Sequence, residues 1–236
     1  MKLLAAALCL ACSGASASED VAAPVPDTAA LIERCAPKVD VDTLGALVRT
    51  ESSGHVFVLS DDGPARLPWR QRKQMIRSIF PGSAQEAADV ARKLINDGHL
   101  VGIGLTQINS QNLSGLGVTV EQLLDPCTNL AVGARLLRSL YQQALRSGRF
   151  PTADRALGAA ISAYNTGNFN DGFSNGYVSK VLANMVVGVP RLRADPAPTR
   201  TMRTVLADGR VQGSSAVGRR EDSAWKARTA PLEVDW

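Results

Sequence analysis

The stretch LGALVRTESSGH, residues 44–55, predicts a helix that carries a carboxylate on its buried face. Leu44, Leu47 and Val48 recur at helical spacing and define one apolar stripe. Glu51 follows Leu47 by four residues and Val48 by three, so it continues the same stripe. A glycine three residues later is the predicted end of the helix, which places this carboxylate in the last turn.

A carboxyl group in this position is suited to giving up a proton near neutral pH. Burial disfavours the charged form and raises the pKa of a carboxyl group, and the negative pole at the C-terminal end of a helix acts in the same direction. An acid that stays protonated can then protonate a leaving group. The alternative is that Glu51 pairs with an arginine, or lies at the edge of the stripe and reaches water.

The region after this helix is predicted to be a loop. The helix itself begins at Asp40 or Asp42 as its N-cap, whereas residues 56–82 hold no clear periodic element. Within them, the residues Asp61-Asp62-Gly63-Pro64 form a turn signal. Five basic residues follow with no acid among them: Arg66, Arg70, Arg72, Lys73 and Arg77. A solvated basic loop is the simpler interpretation, and contact with an anionic substrate is the alternative.

Most of the chain from residue 83 to residue 187 is predicted to be helical. Capping patterns at Ser83/Glu86 and Thr119/Gln122 open two helices, and Asp125-Pro126 opens the longest one. Further helices are predicted over 153–163 and 176–187. The stretch GIGLTQIN, residues 102–109, is short, apolar and rich in glycine, which fits an extended segment or a tight turn. The predicted fold is therefore mainly α with a small extended region.

Residues 1–17 have the features of an export signal. Met1-Lys2 supplies a positive start, residues 3–11 are apolar, and Ala15-Ser16-Ala17 fits a cleavage site. We therefore expect a periplasmic protein. Because no later run approaches the ~18 apolar residues of a membrane span, we expect no transmembrane segment in the mature protein. Lipid anchoring at Cys12 is disfavoured, because Cys9 stands where an aliphatic residue is expected.

Removal of the signal leaves two cysteines, Cys35 and Cys127. In an oxidising compartment two such thiols are expected to form a disulfide. The alternative is a pair of unrelated buried thiols.

The charge of the chain is concentrated at its C-terminal end. Residues 190–236 hold nine Arg or Lys and six Asp or Glu, a net charge of +3, whereas residues 18–189 hold sixteen of each. A neutral body argues against a nucleic-acid partner. We predict a lead-in over 18–32, one folded domain over 33–189 and a disordered basic tail over 190–236.

Several kinds of site are not indicated by the sequence. The two histidines, His55 and His99, are not at metal-ligand spacing, and no phosphate loop, dinucleotide fingerprint or GxSxG elbow is present. No metal or cofactor is therefore expected. The stretch AYNTGNFNDGFSNGY, residues 163–177, interleaves four aromatic residues with asparagines. Aromatic faces pack on sugar rings and amides suit sugar hydroxyls, although a turn region with core aromatics is the alternative.

Three motifs in this order resemble the signatures of one enzyme family. ESSGH, GLTQIN and AYNTG resemble those of the goose-lysozyme-like lytic transglycosylases, and above all the VirB1-like subgroup that accompanies type IV secretion and conjugation systems. The resemblance covers residues 33–187 and includes DPCTNLAVGARLL, whose cysteine position the subgroup shares. It implies an α+β, lysozyme-like fold.

The resemblance also implies roles for individual residues. Glu51 corresponds to the sole catalytic acid/base of the family. Substrate-binding positions correspond to Ser52, Gln107, Tyr164 and Asn165, with the Tyr164 hydroxyl expected near the catalytic carboxylate. Thr106 departs from the family, which commonly has methionine there, and this departure puts one apolar sugar contact in doubt.

The implied reaction is cleavage of peptidoglycan glycan strands between N-acetylmuramic acid and N-acetylglucosamine, with formation of 1,6-anhydromuramoyl ends. Asp61 and Asp62 are further carboxylates, and if one of them reached the site, hydrolysis of the muramidase type would result. A non-catalytic glycan-binding assembly factor is the third hypothesis. The tail is predicted to contact a partner, either a type IV secretion component or an anionic envelope polymer, and an inert extension is the alternative.

Overall fold

A computed structural model describes residues 27–194, and this part of the chain is mainly helical with one small antiparallel sheet. The mainly α fold with a small extended region is therefore confirmed. The helices are α1 Thr28–Cys35, α2 Val41–Glu51, α3 Trp69–Arg72, α4 Ala84–Asn96, α5 Leu113–Leu116, α6 Val120–Leu123, α7 Pro126–Arg146, α8 Ala153–Thr166, α9 Asp171–Ser174 and α10 Tyr177–Val187. The strands are β1 Leu59–Pro64, β2 Arg77–Ile79, β3 His99–Ile103 and β4 Ile108–Asn109.

The predicted helix starts are confirmed by their capping hydrogen bonds. Asp40 caps α2 by accepting from the Thr43 amide at 2.9 Å, and Asp125 precedes the proline that opens α7. The capping box of Thr119 is present at α6. Ser83 caps α4, but the Glu86 carboxylate accepts from the Gly82 amide instead of closing the box on Ser83.

The sheet lies only partly where the sequence predicts a loop: β1 and β2 fall in that segment, whereas β3 and β4 overlap residues 102–109, predicted to be an extended segment or a tight turn. Its strand order is β2-β1-β3-β4, and every neighbouring pair is antiparallel. The predicted turn at Asp61-Asp62-Gly63-Pro64 instead forms the last four residues of β1, where the register shifts between Asp61 and Pro64. Gly63 has a φ of +76° at this irregularity, which explains the turn-like residues.

The basic segment 66–77 is only partly the solvated loop that the sequence predicts. Arg72 is 1% exposed, and its guanidinium donates to the carbonyls of Leu67 and Asp62. Because these hydrogen bonds join the end of α3 to the preceding loop and to β1, Arg72 holds α3 against the irregular part of β1. Arg66 and Arg70 are exposed.

The core forms around the long helix α7, which packs against α1 and α8, while α2 packs against α10. Leu44, Leu47 and Val48 are completely buried, so the apolar stripe of α2 is confirmed. The sulfur atoms of Cys35 and Cys127 are joined in a disulfide between the end of α1 and the start of α7, with the Cα atoms 5.3 Å apart.

The described structure includes residues on both sides of the predicted 33–189 domain. Helix α1 begins at Thr28, inside the predicted lead-in, and residues 190–194 pack against the loop after α2 instead of starting a free tail. We call residues 188–194 the strap. The predicted signal peptide over residues 1–17 and residues 195–236 of the predicted tail lie outside the described residues. Between residues 27 and 194, no helix is long and apolar enough to cross a membrane.

Candidate active site

Glu51 is the last residue of α2 and reaches a cleft between the helices and the sheet. The apolar stripe below it is fully buried, which holds this end of the helix against the core. Ser52 ends the helix: its hydroxyl donates to the Val48 carbonyl at 3.0 Å and accepts from the Gly54 amide at 3.1 Å. Both hydrogen-bonding functions of Ser52 are therefore used to shape the turn after Glu51.

Helix α10 meets the end of α2 through a row of polar contacts. The Tyr177 hydroxyl donates to Glu51 Oε1. One turn on, Lys180 Nζ donates to the Thr50 carbonyl at 3.3 Å, and after a second turn Asn184 Nδ2 donates to Thr50 Oγ1 at 2.8 Å. The Thr50 carbonyl is one of the four at the end of α2 that have no partner within the helix, so α10 both caps α2 and orients its terminal carboxylate.

The two tyrosines beside the carboxylate are neutral hydrogen-bond donors. Burial, the negative charge of Glu51 and the hydrogen bond to it raise the pKa of Tyr177 well above its ordinary value. Burial and the charge of Glu51 also raise the pKa of Tyr164, although its hydrogen bond to Thr106 acts in the opposite direction. Neither hydroxyl therefore ionises near neutral pH.

Tyr164 fixes the turn that carries Gln107. Its hydroxyl donates to the Thr106 carbonyl at 2.8 Å, and Asn129 accepts from the Thr106 amide at 2.8 Å. Gln107 has a φ of +50°, which is unusual for a residue with a side chain. Its amide nitrogen donates to the carbonyls of Val58 and Gly104, so its amide oxygen remains as an acceptor beside the cleft.

Thr106 itself is completely buried and does not line the cleft. Its hydroxyl donates to Asn129 Oδ1 at 2.6 Å, and its side chain lies against Gly133 of α7. A β-carbon placed on Gly133 would come within 2.6 Å of Thr106 Oγ1. The residue that stands in place of the usual methionine is thus a core contact between this turn and α7.

One face of the sheet forms the opposite wall of the cleft. The strand register places Ser60 opposite Ser78 and Gly102, and Gly102 opposite Asn109, so one row of small residues crosses all four strands. All four residues line the cleft. This wall offers hydroxyl and amide groups without bulky side chains, which suits a polar, ring-shaped ligand.

The cleft has a volume of about 350 Å³. It is lined by residues of α2, α8, α10, the sheet and α3. They are Thr50, Glu51, Val58, Ser60, Asp62, Trp69, Ile76, Ser78, Gly102, Gln107, Asn109, Tyr164, Asn165, Asn175, Gly176, Tyr177 and Lys180.

The two neighbouring aspartates of β1 have different surroundings, because successive side chains of a strand point to opposite faces. Asp62 lies in the cleft with Glu51, and its carboxylate accepts from the Ser60 hydroxyl at 2.6 Å. Asp61 is buried on the other face, where it contacts His99 Nδ1 at 2.7 Å and Arg77 Nε at 2.9 Å. Only Asp62 is therefore placed to act beside Glu51.

Of the five residues predicted from the sequence to form the site, four line the cleft and one, Ser52, does not. Glu51, Gln107, Tyr164 and Asn165 all line the cleft, and Asn165 also accepts from the Asn175 side chain at 3.2 Å. Ser52 is buried behind Glu51 and is not part of the cleft wall.

Several cleft residues carry no individual signal in the sequence, among them Tyr177, Trp69 and Lys180. Tyr177 is one of the four aromatics of residues 163–177, and Trp69 and Lys180 belong to no motif. Tyr177 and Lys180 are three residues apart on one helix face, a spacing that the sequence does contain. Trp69 lies in the segment predicted to be a loop, so nothing in the pattern directs it to the cleft.

Comparison with known proteins places this architecture in a family. Residues 29–185 match the family model described as the transglycosylase SLT domain. The chain belongs to the transglycosylase SLT domain family. The motifs that resemble lytic transglycosylases all lie inside the matched region of this SLT domain.

Individual relatives of the SLT domain are VirB1 proteins. The chain is 38% identical over 169 residues to "Protein virB1" of Agrobacterium fabrum, a match that covers 70% of this chain and 62% of that protein. It is 33% identical over 178 residues to "Type IV secretion system protein virB1" of Brucella abortus biovar 1, covering 70% of this chain and 69% of that protein. The chain thus spans about six-tenths of the length of the Agrobacterium relative. No solved structure matches the chain.

Proposed function

We propose that this protein is a lytic transglycosylase that cleaves the β-1,4 bond between N-acetylmuramic acid and N-acetylglucosamine in peptidoglycan. The observation that carries the proposal is the position of Glu51, a carboxyl group at the end of a buried helix stripe, inside a cleft and hydrogen-bonded by Tyr177. Membership of the SLT domain family supports the same reaction.

In the proposed mechanism Glu51 acts first as an acid and then as a base. It protonates the glycosidic oxygen, so that the bond to C1 breaks while the N-acetyl group of the substrate assists at C1. Glu51 then takes the proton of the muramoyl 6-hydroxyl, whose oxygen attacks C1 and closes the 1,6-anhydro ring. One carboxyl group serves both steps, because the proton that it donates first is replaced in the second.

The Tyr177 hydroxyl supports both steps from a fixed position. Because its pKa is raised well above the ordinary value, it remains a donor to Glu51 throughout the neutral range. It orients the carboxylate through one of its oxygens, Oε1. A hydrogen bond to a charged acceptor contributes about 1.5–3 kcal/mol, enough to favour a single orientation of the carboxylate.

The two walls of the cleft are suited to different parts of a glycan strand. Trp69 offers an aromatic face against which a sugar ring can pack, and the buried Arg72 guanidinium lies 5.5 Å from the Trp69 ring centroid and supports it. The row that begins at Ser78 and ends at Asn109 offers polar groups to hydroxyl and N-acetyl substituents.

Hydrolysis is the second candidate, and Asp62 is the observation that favours it. This carboxylate lines the same cleft as Glu51, and a second carboxylate is what most glycoside hydrolases use to activate water or to form a covalent intermediate. Its hydrogen bond from the Ser60 hydroxyl and its place on the sheet wall favour a role in glycan binding instead.

We further propose that the protein acts in the periplasm and opens the cell wall locally for a type IV secretion or conjugation apparatus. The predicted signal over residues 1–17 and the similarity to VirB1 proteins support this setting.

Product analysis of digested peptidoglycan tests the proposal and separates it from its alternatives. We expect 1,6-anhydromuramoyl ends from the protein and from Asp62→Asn, and no product above background from Glu51→Gln, whose amide is similar in shape but has no acidic proton to donate. Reducing ends that disappear in Asp62→Asn would establish hydrolysis instead. Absence of cleavage by the unmodified protein would leave glycan binding as the function.

A further inference from the structure

The strap, residues 188–194, follows α10 and lies against α2. Helix α10 ends at Val187, and Gly188, with a φ of +84°, redirects the chain. The Gly188 carbonyl accepts from Arg49 Nε at 3.0 Å, two residues before Glu51. The strap is therefore attached to the last turn of the helix that carries the proposed catalytic acid.

The next residue of the strap packs against the one glycine of α2. Val189 lies directly over Gly45, where a β-carbon on the glycine would come within 2.7 Å of Val189 Cγ2. Glycine in the middle of a helix costs about 0.5–1 kcal/mol relative to alanine. The cost is explained if close packing of the strap on α2 is needed at this position.

The strap then pairs with the loop that follows Glu51. The Arg193 amide donates to the Gly54 carbonyl at 2.7 Å, and the Arg193 carbonyl accepts from the Val56 amide at 2.8 Å. The Arg193 side chain also donates to the Ser53 carbonyl at 2.7 Å. This one-residue parallel bridge fixes a loop whose Ser53 and Gly54 both have positive φ values.

Glu51 is thus held between two attachment points of one segment. Arg49 is fixed on one side of it and residues 53–56 on the other, whereas the end of a helix otherwise frays. We infer that the strap is a positioning element for Glu51, with Arg49, Val189 and Arg193 as its positioning residues. The inference rests on the proposed catalytic role of Glu51.

Truncation of the chain within the strap tests this inference. A chain that ends at Ala194 keeps the strap, and a chain that ends at Gly188 lacks most of it. Because a displacement of about 1 Å in a catalytic group can cost about a hundredfold in rate, we expect the shorter chain to lose at least about tenfold in kcat, with KM changed by less than about threefold. Rates are measured on soluble glycan fragments, at a temperature where circular dichroism shows both chains to be folded.

Substitutions in the full-length chain make the test independent of truncation. Gly45→Ala forces Val189 away from α2 and should lower kcat, while Val189→Ala added to it removes the clash and should restore most of the loss. Arg193→Ala should lower kcat, and Arg191→Ala, which removes an exposed side chain of the same strap, is the matched control. Hydrogen exchange at the Gly54 and Val56 amides should accelerate in the Gly188 chain, and this readout does not depend on cleavage.

The outcomes distinguish the strap from the proposed function. Equal kcat values of the Ala194 and Gly188 chains, or additive losses in the Gly45/Val189 pair, would overturn the inference while leaving transglycosylation intact. A full-length chain that releases no anhydro product would contradict the proposed function. Unchanged amide exchange at Gly54 and Val56 in the chain ending at Gly188 would separately overturn the inference that the strap holds the loop after Glu51.

Discussion

At the scale of single residues, the contact between Tyr177 and Glu51 organises the candidate site. The two residues are 126 positions apart in the sequence, so no local pattern connects them. The sequence does predict that Glu51 lies in the last turn of α2, in line with its buried residues, because the apolar spacing of α2 decides which face is buried. The orienting hydroxyl depends on how α10 packs on α2, which is a tertiary property.

We predict that Tyr177→Phe lowers kcat by about ten- to a hundredfold, because it removes a hydrogen bond to a charged group that contributes ~1.5–3 kcal/mol. Loss of the hydroxyl leaves the ring packing intact, so the melting temperature should change little. Tyr141→Phe, at a half-buried tyrosine outside the cleft, is the control and should behave like the unmodified protein. The measurement is release of anhydro-muropeptides at saturating substrate. A Tyr177→Phe protein with normal kcat would show that Glu51 needs no orienting hydroxyl.

At the scale of elements, the longer helices after residue 40 and the extended stretch 102–109 could be predicted from the sequence, whereas the strands β1 and β2 could not. Helices such as α4 and α7 carry their own caps and apolar faces, so local residues decide them. The strands β1 and β2 are short and polar, LSDDGP and RSI, and they form because β3 and Arg72 hold them. Helix α1 was missed for a related reason: eight residues are marginal alone, and α1 is stabilised by packing on α2 and α7.

The buried carboxylate of Asp61 in β1 predicts that the stability of the fold depends on pH. Burial raises the pKa of Asp61, but the hydrogen bonds from His99, the Gly63 amide and Arg77 outweigh it, and the pKa lies below the ordinary 3.8. A lowered carboxyl pKa stabilises the fold above the unfolded-state value. This contribution decreases as the pH falls below that value and is lost once the pH passes the folded-state pKa.

We therefore predict that Asp61→Asn lowers the free energy of unfolding at neutral pH by about 1–3 kcal/mol, the range for a buried charged hydrogen-bond acceptor. The difference from the unmodified protein should shrink as the pH falls below 3.8. Urea unfolding at neutral and acidic pH measures it, with Glu33→Gln at an exposed site of α1 as the control. A difference that stays constant over this range would mean that the charge of Asp61 contributes nothing.

At the scale of the whole molecule, the disulfide joins α1 to the start of α7 across 92 residues of sequence. We predict that the mature exported protein contains no free thiol when it is denatured without reductant. Reduction should lower the melting temperature by several degrees, since closing a long loop contributes about 3–5 kcal/mol in the chain-entropy model. Two thiols titrated in unreduced protein would contradict this pairing.

The last prediction concerns residues 195–236, which lie outside the described residues and contain Trp225 and Trp236, two of the three tryptophans of the chain. Tryptophan is enriched among the residues that anchor protein interfaces, so we expect this segment to contact a component of the secretion apparatus. Because the strap ends at Ala194, a chain that stops there keeps every described contact of Glu51 and should retain full glycan cleavage.

The chain that ends at Ala194 should fail to restore secretion in cells that lack the full-length protein. The double variant Trp225→Ala with Trp236→Ala should reproduce this defect, whereas Trp69→Ala should impair cleavage instead. Full restoration by the chain ending at Ala194 would show that the segment has no role in secretion, and lost cleavage would place it in the catalytic unit.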